Sequence, residues 1–189
     1  ITSDSKWEPN ESITITLDGS AVSNETGIAL HNPTTGSALT HAYQITNDDS
    51  KPEVNFTASN ASGSSASASS PSEADGSVTL TVSLAAVTGE SAYIDYTIAS
   101  STGASDADWS DGTTDYDSDG TTNRITWAAD EATVSKTIVV NFTNDTIDEG
   151  DEEITVTLSG PVGGLALGTS ATVHTITLKD SDAPPVMQF

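Results

Sequence analysis

Asp145, Asp148, Glu149, Asp151, Glu152 and Glu153 crowd into one short stretch with no Lys or Arg among them. Carboxylates this close repel one another unless water, salt or a bound cation screens them. A divalent ion is the simplest remedy, because Ca²⁺ takes roughly six to eight oxygen ligands, many of them carboxylates. The run leads straight into Ile154-Thr-Val-Thr-Leu158, whose strict alternation predicts a half-buried strand. A weaker copy opens the chain, where Asp4, Glu8 and Glu11 precede Ile13-Thr-Ile-Thr-Leu17. An acidic loop feeding a strand is therefore used twice.

The chain has 189 residues, with 28 acids against 5 Lys plus Arg, a formal net charge of −23. That excess argues against nucleic acid and against an anionic membrane surface as partners, and favours cations or basic partners. There are no cysteines, hence no disulfides, thiolate metal sites or cysteine nucleophile. No apolar run approaches the about 20 residues of a membrane helix, which excludes helical insertion by this segment. Ser, Thr, Gly, Asn and Asp dominate and good helix formers are scarce, an all-β composition.

Alternating apolar sets mark the strands that must position the acids. In the long central region these are Val54/Phe56, Val78/Leu80/Val82/Leu84, Ala92/Ile94/Tyr96/Ile98, Ile125/Trp127, Val134/Ile138/Val140/Phe142, Ile154/Val156/Leu158 and His174/Ile176/Leu178, here lettered A to G. Lys136 shares the inward parity of the fifth set, which predicts that this strand starts at a sheet edge. Residues 58–75, rich in Ser, Ala and Gly, read as a flexible loop too polar to pack. An offset of 133 residues lays His41–Phe56 on His174–Phe189 without gaps, and one of 141 lays Asp4 on Asp145. The chain is thus expected to hold the last two strands of one repeat (1–51), a complete repeat (52–184), and the first strand of a further repeat, or a donor strand, in 185–189.

Strand parity gathers the acids. In an antiparallel sandwich of seven strands, the A–B, C–D and E–F connections and the exit from G share one pole. Those segments carry Glu73 and Asp75, Asp106 to Asp119, Asp145 to Glu152, and Asp180 with Asp182. Strand G leaves from that same pole toward the next repeat, so a cation held there would sit at a junction.

Asp145-Thr-Ile-Asp-Glu-Gly-Asp-Glu-Glu-Ile-Thr-Val-Thr-Leu158, Gly112-Thr-Thr-Asp-Tyr116 and Asp180-Ser-Asp182 together resemble the Calx-β domain, the β-sandwich of sodium/calcium exchanger regulatory regions and many bacterial surface proteins. The resemblance implies an all-β fold, a seven-strand antiparallel immunoglobulin-like β-sandwich with partial flanking repeats, and calcium ligands at Glu73, Asp115, Asp145, Glu149, Glu152, Asp180 and Asp182. Asn144 stands where a first aspartate is usual and Ser181 interrupts the closing acidic run; both lower the site's charge. In the first copy Asp4, Glu8, Asp48 and Asp49 match the pattern, whereas Ser3, Lys6 and Asn10 do not.

Rival readings attach to other residues. Asp115-Tyr-Asp-Ser-Asp119-Gly has the spacing of an EF-hand-like loop, yet Thr126 stands where the bidentate acid belongs. Trp109, in an acidic loop, is the residue on which a carbohydrate-binding role, with cell-surface glycans as partners, would rest. The N-x-Ser/Thr sequons at Asn10, Asn24, Asn55, Asn60, Asn141 and Asn144 carry little weight in so Ser/Thr-rich a chain. The three histidines form no argued catalytic set. The expectation is a non-catalytic, calcium-stiffened module of a secreted or cell-surface protein, adhesive or filament-forming. It would meet neighbouring repeats or subunits through β-strand or end-to-end contacts.

Overall fold

The computed structural model describes residues 4–17, 39–61, 63–102 and 123–189. The chain divides into two compact units, one of Glu8–Asp49 and one of Ile1–Trp7 with Ser50–Phe189.

In the smaller unit β1 (Glu11–Leu17) and β2 (Leu39–Ile45) pair antiparallel as a two-stranded sheet. The larger unit is a sandwich. One sheet has the order β10-β3-β5-β8, from β3 (Glu53–Ser59), β5 (Ser77–Leu84), β8 (Ser135–Asn141) and the short β10 (Ala166–Leu167). The other has the order β4-β11-β9-β6-β7, from β4 (Ala68–Ser69), β6 (Ala92–Thr102), β7 (Asn123–Trp127), β9 (Glu152–Val162) and β11 (Val173–Leu178). Strands A to G of the sequence reading are β3, β5, β6, β7, β8, β9 and β11.

The alternation does what its chemistry demands. Along β5 each of Val78, Leu80, Val82 and Leu84 is buried, with half-buried Ser and Thr between them. These residues meet Val54, Phe56, Ile138 and Val140 of their own sheet and Ile94, Ile154, Val156, Leu158, Ile176 and Trp127 of the other in one core. The Trp127 ring is buried, and its Nε1–H donates to the carbonyl of Val134 at 3.2 Å, so its one polar atom is satisfied. β8 lies at a sheet edge, and Lys136 near its start pairs with Glu131.

The smaller unit repeats part of this sandwich strand for strand. In the sandwich Glu152 faces Leu178, Ile154 faces Ile176 and Val156 faces His174. In the hairpin Glu11 faces Ile45, Ile13 faces Tyr43 and Ile15 faces His41, the same register at the equivalent positions. The surroundings differ. Ile154, Val156 and Ile176 are 0% exposed, whereas Ile13, Ile15 and Tyr43 are 48%, 54% and 59% exposed.

One expectation is corrected. Residues 58–75 are not a loop without packing: β4 runs parallel to β11, Ser69 is buried, and Glu73–Asp75 forms a 3₁₀ turn capped by Ser72. The hydroxyls that made the segment look unstructured supply its order, since Ser64 Oγ accepts from the Ser59 amide at 3.0 Å and Ser65 Oγ from that of Ala68 at 3.0 Å. Val186–Phe189 pairs with no strand among the described residues, and Val186, Met187 and Phe189 are exposed.

The Asp4–Trp7 segment belongs to the larger unit. The Gly89 amide donates to the Trp7 carbonyl at 3.1 Å, and the Trp7 ring lies against Gly164. Gly164 has φ +76°, and a Cβ there would overlap that ring, so the position requires glycine twice over.

Candidate metal centre

Three segments converge at one pole of the sandwich. The first is the A–B connection, which places Glu73 at the start of the 3₁₀ turn. The second is the stretch between β8 and β9, with Asn144, Asp145 and Glu149. The third is the exit from β11, Asp180-Ser-Asp182. Ser72 bridges Lys179 in parallel fashion, and the Glu73 amide donates to the Lys179 carbonyl at 3.0 Å. Glu73 is thereby fixed beside the β11 exit from a position more than a hundred residues away in sequence.

Carboxylate oxygens of Glu73, Asp145 and Asp182 all lie within 4.8 Å of one another. Two oxygens bound to one calcium at about 2.4 Å each are at most about 4.8 Å apart, so the spacing suits a shared ion. Glu73 is buried, and its Oε1 accepts from both the amide and the hydroxyl of Ser181, each at 2.9 Å. Asp145 Oδ1 accepts from the Ile147 amide at 2.7 Å. Asp182 is placed differently: its Oδ2 is buried and has no hydrogen-bond partner. Desolvation, then the charges of Glu73, Asp180 and Asp145, push the Asp182 carboxyl above the usual aspartate range. A hard cation fits this donor set, since it would satisfy the orphan oxygen and reverse the repulsion.

Asp180 does the opposite work. Its Oδ1 accepts from the Asp182 amide at 2.9 Å and its Oδ2 from the Glu149 amide at 3.1 Å. The Asp182 amide, then that of Glu149, hold its carboxyl below the usual range against the cost of burial. Asp180 thus staples the acidic loop to the β11 exit. Glu149, Gly150 and Glu152 line a small cleft with Glu73, Leu178 and Asp180.

Of the seven residues suggested by resemblance, Glu73, Asp145, Glu149, Glu152, Asp180 and Asp182 stand at this pole, with Glu73, Asp145 and Asp182 drawn into the tight trio. Asp115, the EF-hand-like loop through Gly120 and Trp109 lie outside the described residues. Among the described residues the trio is the one group of this kind, so nothing comparable forms around Glu8, Asp48 or Asp49. Asp151 of the same acidic run pairs with Lys179. Sequence reasoning treated Ser181 and Asn144 only as missing acids. The Ser181 hydroxyl in fact lies 3.2 Å from Asn144 Oδ1 and 2.9 Å from Glu73 Oε1, and so links all three segments. No local signal marks that role, because it depends on a partner that is distant in sequence.

The architecture is the β-sandwich of the Calx-β type, with an acidic pole where the first strand connection meets the exit of the last strand. No family model matches the sequence, and no curated protein matches it. Solved structures do. The apo-form Calx CBD1 domain aligns with TM-score 0.52 and 18% identity over 69% of this chain and 98% of that one. The calcium binding domain CBD12 of CALX1.1 aligns with TM-score 0.51 and 17% identity over 68% of this chain and 45% of that one. The Calx CBD2 domain aligns with TM-score 0.50 and 14% identity over 68% and 86%. The match spans under half the length of CBD12. At these identities the likeness is one of fold.

Proposed function

We propose that the sandwich is a non-catalytic divalent-cation module, calcium being the ion its all-oxygen donors suit. The observation that carries this reading is the Glu73–Asp145–Asp182 trio, together with the buried, unpartnered Oδ2 of Asp182. Glu73, Asp145 and Asp182 would hold the ion, and Asp180 would keep the loop and the strand exit in register. The bound ion supplies positive charge and oxygen coordination, and ties three chain segments together. The likeness in fold to domains named as calcium binding supports the same reading.

The role we infer for the ion is mechanical, in a tandem array at a cell surface or in the secreted space. What supports it is the internal repeat, the pole's position where β11 leaves the sandwich, and the hairpin that reproduces the β9–β11 register. The neighbours would be further repeats or subunits. Calcium titration followed by thermal unfolding tests the module. At free calcium about 100 times the dissociation constant, one site adds about 2.7 kcal/mol, which corresponds to a rise in Tm of roughly 5–10 °C over the chelated protein. Superposed melting curves with calcium and with EDTA would overturn the reading.

A further inference from the structure

Glu73 arrives at the pole on a segment that depends on tertiary contacts for its shape, and those contacts form a ladder along β11. The Thr175 amide donates to the Ser67 carbonyl at 2.9 Å, Ala68 and Ser69 pair with Thr175 and Ile176, and the Lys179 amide donates to the Pro71 carbonyl at 2.9 Å. The last rung is the Glu73 amide on Lys179. At the other end of the ladder stands His174. Its Nδ1 lies 3.2 Å from the Ala66 carbonyl and its Nε2 lies 2.9 Å from Ser69 Oγ.

The partners dictate the ring's protonation. A carbonyl can only accept, so Nδ1 carries the proton; Nε2 is then bare and accepts from the Ser69 hydroxyl. The neutral ring is satisfied at both nitrogens. It is 0% exposed, 5.6 Å from the Phe56 ring of β3, and opposite Val156 of β9. The groups against it from β3, β9 and the Ala66–Ser69 segment are therefore Phe56, Val156, the Ala66 carbonyl and the Ser69 hydroxyl, none of them charged. Asp180 and Asp182 follow only beyond the end of β11. A second proton would turn the Ser69 hydroxyl away from Nε2 and bury a charge with no counter-ion.

We propose that His174 is a positioning residue for Glu73: its neutral ring clasps the Ala66–Ser69 segment to β11, and the cation site at the pole is complete only while that clasp is closed. The proposal rests on the cation-binding reading above. Its sign follows from burial, which lowers the ring's pKa below its ordinary 6.5. The clasp's contribution is full above the unfolded value and is lost as pH falls below it, because the unfolded chain takes the proton first. By linkage, ion binding and ring protonation oppose each other, so calcium pushes the ring's pKa further down.

The test follows the imidazole of His174 by NMR through an acid titration of the whole chain, with calcium and with EDTA. Calcium affinity is measured by calorimetry at neutral pH for the wild type, H174Q and S69A. The expected results are a His174 titration displaced to lower pH by calcium, and calcium binding about 2–10-fold weaker in both variants, the effect of one lost hydrogen bond. S69A should also raise the ring's pKa, because the neutral form loses its donor. A His174 titration that calcium leaves in place, while the wild type binds calcium at neutral pH, overturns the clasp alone. Absence of calcium binding to the wild type at neutral pH overturns the cation reading and the proposal with it. The wild-type titration stands whether or not H174Q folds.

Discussion

Asp182 is the residue at which the cost of the ion-free pole is concentrated. Its buried Oδ2 has no donor, and its carboxyl titrates above the usual range because of desolvation and of Glu73, Asp180 and Asp145. An acid whose folded pKa is raised binds more protons folded than unfolded, so stability falls as pH rises through the window between 3.8 and the raised value. The ion-free protein therefore carries this penalty at neutral pH, and a cation removes it. D182N should raise Tm in EDTA and abolish the rise that calcium gives the wild type, since an amide removes both the repulsion and a ligand oxygen. Thermal unfolding of the two proteins with and without calcium checks this. A variant destabilised in EDTA would mean that the carboxylate serves the ion-free fold instead.

At the scale of elements, the molecule contains its own control experiment. β9 with β11 and β1 with β2 have the same register, yet among the described residues only the first pair has its apolar face buried. Ile154→Ala should cost about 2–5 kcal/mol, as buried large-to-small changes do. The equivalent Ile13→Ala should stay within about 0.5 kcal/mol, as surface changes do. Denaturant melts of both variants compare them directly, and an equal cost would show that the hairpin's face is covered in solution. The strands were legible in the sequence because burial on one face writes a period of two into Val78–Leu84 and Ile154–Leu158. The meeting of Glu73, Asp145 and Asp182 was legible too, because strand parity alone fixes which connections share a pole. The Ala66–Glu73 ladder was not. Its residues are small and polar, its parallel pairing with β11 is held by backbone groups, and neither leaves a hydrophobic period to read. The clasp was missed for the same reason. His174 gave its inward parity but not its partners, which lie more than a hundred residues away.

The whole molecule carries 28 acids against 5 basic side chains, and among the described residues Lys6, Arg124, Lys136 and Lys179 are in ion pairs with acids. Among the described residues the remaining acids, Glu73 apart, are exposed or half-buried, and this excess of like charge opposes compaction through self-repulsion. Two kinds of electrostatic cost are thus superposed: a diffuse one spread over the surface, and a local one buried at the pole. Salt separates them. Screening acts over about 10 Å at 0.1 M and about 30 Å at 0.01 M for exposed charges, and much less for buried ones. In EDTA, Tm should rise as sodium chloride is raised across that range, because the diffuse repulsion is relieved. At the higher salt, saturating calcium should still add a further rise in the wild type and none in a Glu73→Gln variant, because the trio's repulsion and the bare Asp182 oxygen remain until an ion sits between them. Sodium alone reproducing the full calcium effect would show that the acidic pole is only part of the general surface charge; a salt-resistant, Glu73-dependent increment would assign it to a coordinated ion.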